Sequence, residues 1–152
     1  MDSVRILPLW ATVLLGALAA GCGGPWGPIP GGALSGPEIA CGTGFPTDLR
    51  EIEVEVRPED PYSVTTWNVV LDGTLYIPAD FLNPVKRWPG FVDADERIRL
   101  RVDGLVHRCR AVRVTDADLV GRLRAAIAAK YDIAPDGIAA RTEVWWYRVE
   151  RR

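Results

Sequence analysis

The chain has 152 residues, 18 basic and 20 acidic side chains and a formal net charge of −2, with 48% hydrophobic residues. That length carries one hydrophobic core and little more. The near balance of charge excludes a generally basic surface of the kind nucleic acid or an anionic membrane attracts, so any special electrostatics must be local.

Residues 1–5 hold one basic and one acidic side chain, so with the free amine the segment is slightly positive. From Ile6 to Ala20 nothing is charged, and Leu7, Leu9, Trp10, Val13, Leu14, Leu15 and Leu18 form an apolar run of 15 residues. A spanning helix needs roughly 20. The run therefore has the length of a secretory signal core. It ends in Leu18-Ala19-Ala20-Gly21-Cys22, which resembles the lipobox of bacterial lipoproteins. The resemblance implies cleavage before Cys22, lipidation of its thiol, and residence in the cell envelope. Gly23, which is not aspartate, implies sorting to the periplasmic side of the outer membrane in a Gram-negative cell.

Removal of residues 1–21 leaves 131. Glycine and proline dominate Gly23 to Gly36 and break both helix and strand, so residues 22–40 read as a tether and residues 41–152 as the domain. Trp26 within that run is either incidental or docks on the domain or at a bilayer interface. Besides Cys22, only Cys41 and Cys109 remain. In an exported chain they are candidates for one disulfide; the alternative is a free Cys41 and a buried Cys109. With a lone His107, they show no zinc-type ligand spacing, so no metal site is expected. His107 reads as a core or rim side chain.

Glu51 to Val56 alternates strictly, which predicts a strand with Ile52, Val54 and Val56 inward and Glu51, Glu53 and Glu55 on the other face. Thr66–Leu71 and Thr74–Ile77 flank Asp72-Gly73, the dipeptide of a two-residue hairpin turn. Pairing Leu71 with Thr74 puts Trp67, Val69, Leu71 and Tyr76 on one face and Asn68, Val70, Leu75 and Ile77 on the other. Both faces are largely apolar, so this hairpin is expected to be covered on both sides.

A second Asp-Gly hairpin, Arg97–Val102 with Leu105–Val114, turns at Asp103-Gly104. Pairing Val102 with Leu105 aligns Ile98, Leu100, Val102, Leu105, His107 and Cys109 on one face. Arg97, Arg99, Arg101, Arg108 and Arg110 share the other with Val106. Facing cations repel unless acids intervene. The first strand's glutamates supply those acids, giving an ion-pair ladder; the alternative is a bound phosphate or carboxylate.

Thr115-Asp116-Ala117-Asp118 opens the main helix, with Thr115 placed to cap and the acids favoured by the helix dipole. Leu119, Val120, Leu123, Ile127 and Tyr131 give it one apolar stripe. Pro135-Asp136-Gly137 reads as a turn, and Glu143 to Val149 as a closing strand rich in aromatic residues. The expected fold is α+β and mostly β, with two Asp-Gly hairpins and one main helix.

That order, with Trp67 to Ile77, then Arg87-Trp88 in a short irregular segment, then Asp95 to Gly104, resembles the split β-barrel of the pyridoxamine-phosphate-oxidase-like proteins, which include flavin- and deazaflavin-binding oxidoreductases. The resemblance implies a split barrel that forms a homodimer and, where a cofactor binds, FMN or a deazaflavin. It points to Lys86 and Arg87 as phosphate contacts and to Trp88 as the side chain against the ring or ribose.

Phe91 stands where deazaflavin-using relatives carry an asparagine, and Asp60 to Thr65 lacks their basic phosphate-gripping segment. No nucleophile elbow, phosphate-binding glycine loop or histidine pair is present, and Asp93 and Asp95 read as turn residues, so no catalytic residue is assigned. The sequence reading is an envelope lipoprotein whose domain binds a ligand or a protein, without nucleic acid and attached to the membrane through its lipid. The alternative is a lipid-anchored flavin- or deazaflavin-binding oxidoreductase.

Overall fold

The computed structural model describes residues 24–27, 29–80, 86–134 and 143–152. The leader, Cys22 and the Pro135-Asp136-Gly137 turn lie outside them. In chain order the elements are β1 (Glu38–Ala40), β2 (Ile52–Val56), β3 (Tyr62–Thr66), β4 (Val69–Leu71), β5 (Thr74–Asp80), α1 (Trp88–Ala94), β6 (Arg97–Val102), β7 (Leu105–Val114), α2 (Ala117–Tyr131) and β8 (Val144–Arg151).

The strands form one curled, antiparallel half-barrel in the order β3-β2-β6-β7-β8-β5-β4. Both hairpins take the expected register, with Leu71 opposite Thr74 and Val102 opposite Leu105. Each turn works for the same reason: Asp72, Gly73, Asp103 and Gly104 all have positive φ, which a two-residue turn matched to strand twist requires and which Asp and Gly tolerate. β1 joins β7 in parallel across Val106, His107 and Arg108, and β8 takes over that edge from Cys109 onward.

The inner face carries the main core. Ile52, Val54 and Val56 meet Leu75, Ile77, Ile98, Leu100, Ala111 and Tyr147 there, so the alternation in β2 and both hairpins points inward as the sequence predicts. The outer face of β4, β5 and β8 carries a second cluster under α2, with Val69, Tyr76, Val114, Leu123, Ile127 and Trp146. The first hairpin is therefore apolar on both faces because both are covered.

Five local features depart from the sequence reading. The expected strand Thr66–Leu71 is broken at Trp67 and Asn68, so that Thr66 ends a separate β3 paired with β2 and only Val69–Leu71 enters the hairpin. The segment around Trp88 is a helix: Pro89 fits a first helical turn, where its missing N–H costs nothing. Seven residues are too few to show a helical period. The main helix is capped by Asp116, whose carboxylate accepts the Leu119 N–H at 2.7 Å, one residue after the expected Thr115. Leu105 is exposed at its hairpin tip instead of facing the core. The stretch read as a tether is docked in part: Gly31 exchanges backbone hydrogen bonds with Ser63, Leu34 is buried, and β1 lies within it.

Candidate functional site

Cys41 and Cys109 form a disulfide with Cα atoms 4.9 Å apart. It joins the segment after β1 to the inner face of β7, beside Phe45 and Leu100 in the core. His107 packs against Phe45, with ring centroids 5.2 Å apart. Burial lowers its pKa below the ordinary 6.5, against a smaller opposing pull from Asp103.

The five arginines on the outer face of the second hairpin each have an acid. Arg99 pairs with Glu55 at 2.5 Å and with Glu38; Arg101 holds Glu53. Arg97 takes Asp95 and Glu59, Arg110 takes Glu150 and Glu96, and Arg108 reaches Glu38 at 4.0 Å. Hydrogen bonds donated to Glu55 and Glu53 raise the Arg99 and Arg101 pKa values, opposed by burial. The ladder reading is the one the structure contains, and Glu53 and Glu55 supply it as expected. Glu51 does not join. The ladder is also not wholly solvated: Glu55 is 2% exposed and its Oε2 accepts the Leu34 N–H at 2.6 Å, because the docked N-terminal stretch covers it.

The residues picked out around Trp88 do not converge. Trp88 is 2% exposed, sits in the inner core and packs on Tyr147 at 5.4 Å. α1 turns its indole into the core instead of toward the surface. The Tyr147 hydroxyl holds α1 there by donating to Asp93 at 3.0 Å, with the Pro89 carbonyl 3.2 Å away; Asp93 is thus a helix residue, not a turn residue. Arg87 is exposed at the start of α1, with its guanidinium 5.7 Å from the Phe91 ring. Lys86 alone lines a cavity.

That cavity is a cleft of about 740 Å³ between α2 and the sheet, within the usual range for small-molecule sites. Its origin lies in strand length. β4 pairs with β5 only from Thr74 to Tyr76, so beyond Tyr76 that edge has no strand beside it among the described residues. Pro78 occupies this edge, where a residue without an N–H leaves no donor unpaired. The far end of the sheet curls round to meet it, and Thr66 Oγ1 reaches the Pro78 carbonyl at 3.5 Å. Thr65, Thr66 and Trp67 form one wall, Pro78, Val144 and Trp146 the floor, and Arg124, Ile127, Ala128 and Ile133 the helix side.

Two aromatic residues define its chemistry. Trp146 is 1% exposed, and its indole N–H has no hydrogen-bond partner among the described residues. A buried unpaired donor costs about 1 to 3 kcal/mol. Trp67 is exposed and stacks on Tyr131 with centroids 4.6 Å apart and planes 17° apart. Tyr131 is fixed in turn: its hydroxyl accepts the Asn68 N–H at 3.1 Å, and its oxygen lies 2.5 Å from the Arg50 carbonyl. Burial raises its pKa. Lys130 donates to the buried Asn68 side chain at 3.0 Å, and Asn68 donates to the Leu49 carbonyl. This network pins the end of α2 to the corner after β3 and so sets the cleft's width. The sequence showed Trp67 and Trp146 only as members of apolar faces; Asn68, buried amid hydrophobic neighbours, was the one polar signal of a pinned corner.

No family model matches the chain, and no curated protein matches it. Among solved structures the chain is similar to an FAD-binding protein of Mesorhizobium loti, with a TM-score of 0.50 and 16% identity over 70% of this chain and 83% of that one. It is also similar to a protein named as a pyridoxamine 5′-phosphate oxidase from Listeria innocua, with a TM-score of 0.49 and 14% identity over 68% of this chain and 84% of that one. At such identities the likeness is one of fold. The fold and the first of these likenesses place the chain among α+β proteins with a split-barrel-like sheet.

Proposed function

We propose that this chain is a lipid-anchored protein of the bacterial cell envelope, acylated at Cys22, whose split-barrel domain binds a small, largely apolar ligand in the cleft between α2 and the sheet. The carrying observation is the cleft itself: largely apolar walls, with Trp67 and Trp146 both in its lining. A molecule seated there would cover the exposed Trp67 ring and the aliphatic lining, which favours a ligand with a largely apolar body. The lipobox residues support the anchor, and an envelope address suits a ligand met outside the cytoplasm.

A flavin is the second reading, and the cofactor would be FMN, FAD or a deazaflavin. The FAD-binding neighbour favours it, as does a cleft large enough for an isoalloxazine-sized ring system. In that reading a homodimer would complete the site. Trp88 has no part in it, and Lys86 is the predicted contact that keeps a place.

The full chain, extracted from membranes in detergent, tests both. Anilinonaphthalene sulfonate should bind saturably and quench tryptophan emission, with affinity falling at least about tenfold in Trp67→Ala, the loss of roughly 1.4 kcal/mol. A visible flavin band, or saturable FMN binding in preference to the apolar probe, decides for the second reading. Saturable binding of neither probe overturns the cleft as the site.

A further inference from the structure

We propose that Trp26 and Ile29 form an apolar paddle that lies in the membrane interface and holds the domain flat on the bilayer, so that the glycine- and proline-rich stretch is a fixed mount. The inference rests on acylation of Cys22.

Trp26 N–H donates to the Ile29 carbonyl at 3.0 Å, and Ile29 N–H donates to the Trp26 carbonyl at 2.9 Å. The two hydrogen bonds close a tight turn, with Gly27 at φ +53, where a side chain would be strained. Residues directly opposite each other across such a bridge project to the same side. Trp26 is 76% exposed and Ile29 is 64% exposed. Chain on either side of the turn is held: Pro25 is buried, and Gly31 exchanges two hydrogen bonds of 2.9 Å with Ser63 on β3. A pair of large apolar side chains is thus presented outward from a braced support.

Covalent geometry names the occupant. Cys22 stands four residues before Trp26, and four residues reach at most about 14 Å. With Cys22 acylated in the bilayer, Trp26 is confined to the membrane surface. Indole and a branched aliphatic chain are suited to that zone, tryptophan above all. The sequence carries no charge from Ile6 to Pro37, so the contact is apolar and does not depend on lipid charge.

The test uses the acylated full chain in phosphatidylcholine vesicles containing a lipid brominated near the glycerol backbone. Part of the tryptophan emission should be quenched, equally at low and high salt. The double variant Trp26→Ser/Ile29→Ser should still sediment with the vesicles but lose that quenching, and its fluorescence anisotropy decay should gain a fast rotational component. Co-sedimentation without quenching in the wild type, or quenching unchanged in the variant, overturns the paddle. Failure to sediment, with no acyl mass on Cys22, overturns the lipid anchor and the docking built on it.

Discussion

The two outer faces of the sheet are built from similar material and reach opposite ends. Over β2, β6 and β7, each arginine of the ladder finds a carboxylate, and the N-terminal stretch is laid across Glu55. Over β5 and β8, α2 covers only part of the surface and leaves a cleft floored by Trp146. The first face pairs its charged groups within the protein, although the Ser63 hydroxyl opposite Glu55 is buried without a hydrogen-bond partner among the described residues. The second keeps a buried donor unpaired. Closed ion pairs under a docked strand offer little to a ligand, whereas an open cleft with apolar walls offers surface to bury.

The largest expected effect removes the support shared by both faces. Trp88→Ala empties the barrel mouth and should cost about 3 to 5 kcal/mol of unfolding free energy in urea, with cleft and ladder lost together. An effect below about 1 kcal/mol would mean that α1 is no plug. Next, Glu55→Gln keeps an acceptor for the Leu34 N–H but removes the charge facing Arg99. A loss of about 2 kcal/mol is expected, with faster proteolysis near Leu34 and unchanged probe binding in the cleft. Equal damage to both faces would dissolve the contrast between them.

On the cleft side, Tyr131→Phe deletes the hydroxyl that fixes the corner at Asn68. It should cost about 1 to 2 kcal/mol and weaken probe binding more than it weakens the fold. Smallest is the pH response. His107 has a folded-state pKa below its ordinary 6.5, so the unfolded chain binds the proton more readily. Stability from this group is complete above 6.5 and is lost as pH falls through the lowered value. His107→Asn should flatten the melting-temperature curve in that window. Below it, Asp95, held down chiefly by its hydrogen bond with Arg97, sets a separate acid limb. Glu150 joins that limb: burial raises its pKa, but hydrogen bonds from Arg148 and Arg110 outweigh it. A flattening confined to the acid limb would remove His107 from the account.

Much of the fold could be read from the chain because its devices are local. An Asp-Gly pair fixes a hairpin, the hairpin fixes its register, and period-two alternation then says which side chains go inward. The same logic gave the arginine face and its glutamate partners. α1 was not legible, since seven residues cannot display a period, and its insertion turned Trp88 from a candidate cofactor contact into a core side chain. The cleft was not legible either. It is assembled from the end of β3, the unpaired edge of β5, the floor of β8 and one flank of α2, none of them adjacent in sequence.

By itself the sequence determined β2, both hairpins with their registers, the main helix and the closing strand, offered the acid–base ladder as one of two readings, and carried the motif at Cys22; β1 and β3 were not read from it. It left Cys41 and Cys109 as candidates and Trp26 without an assigned place. Only tertiary structure decided that the cysteines meet, that the supposed tether is docked, that Trp26 and Ile29 share one exposed side, and that an indole N–H lies unpaired in the lining of a cleft. The physical reason is range: turn geometry and alternation act over a few residues, whereas a cavity and its unpaired donor exist only after distant segments have packed against one another.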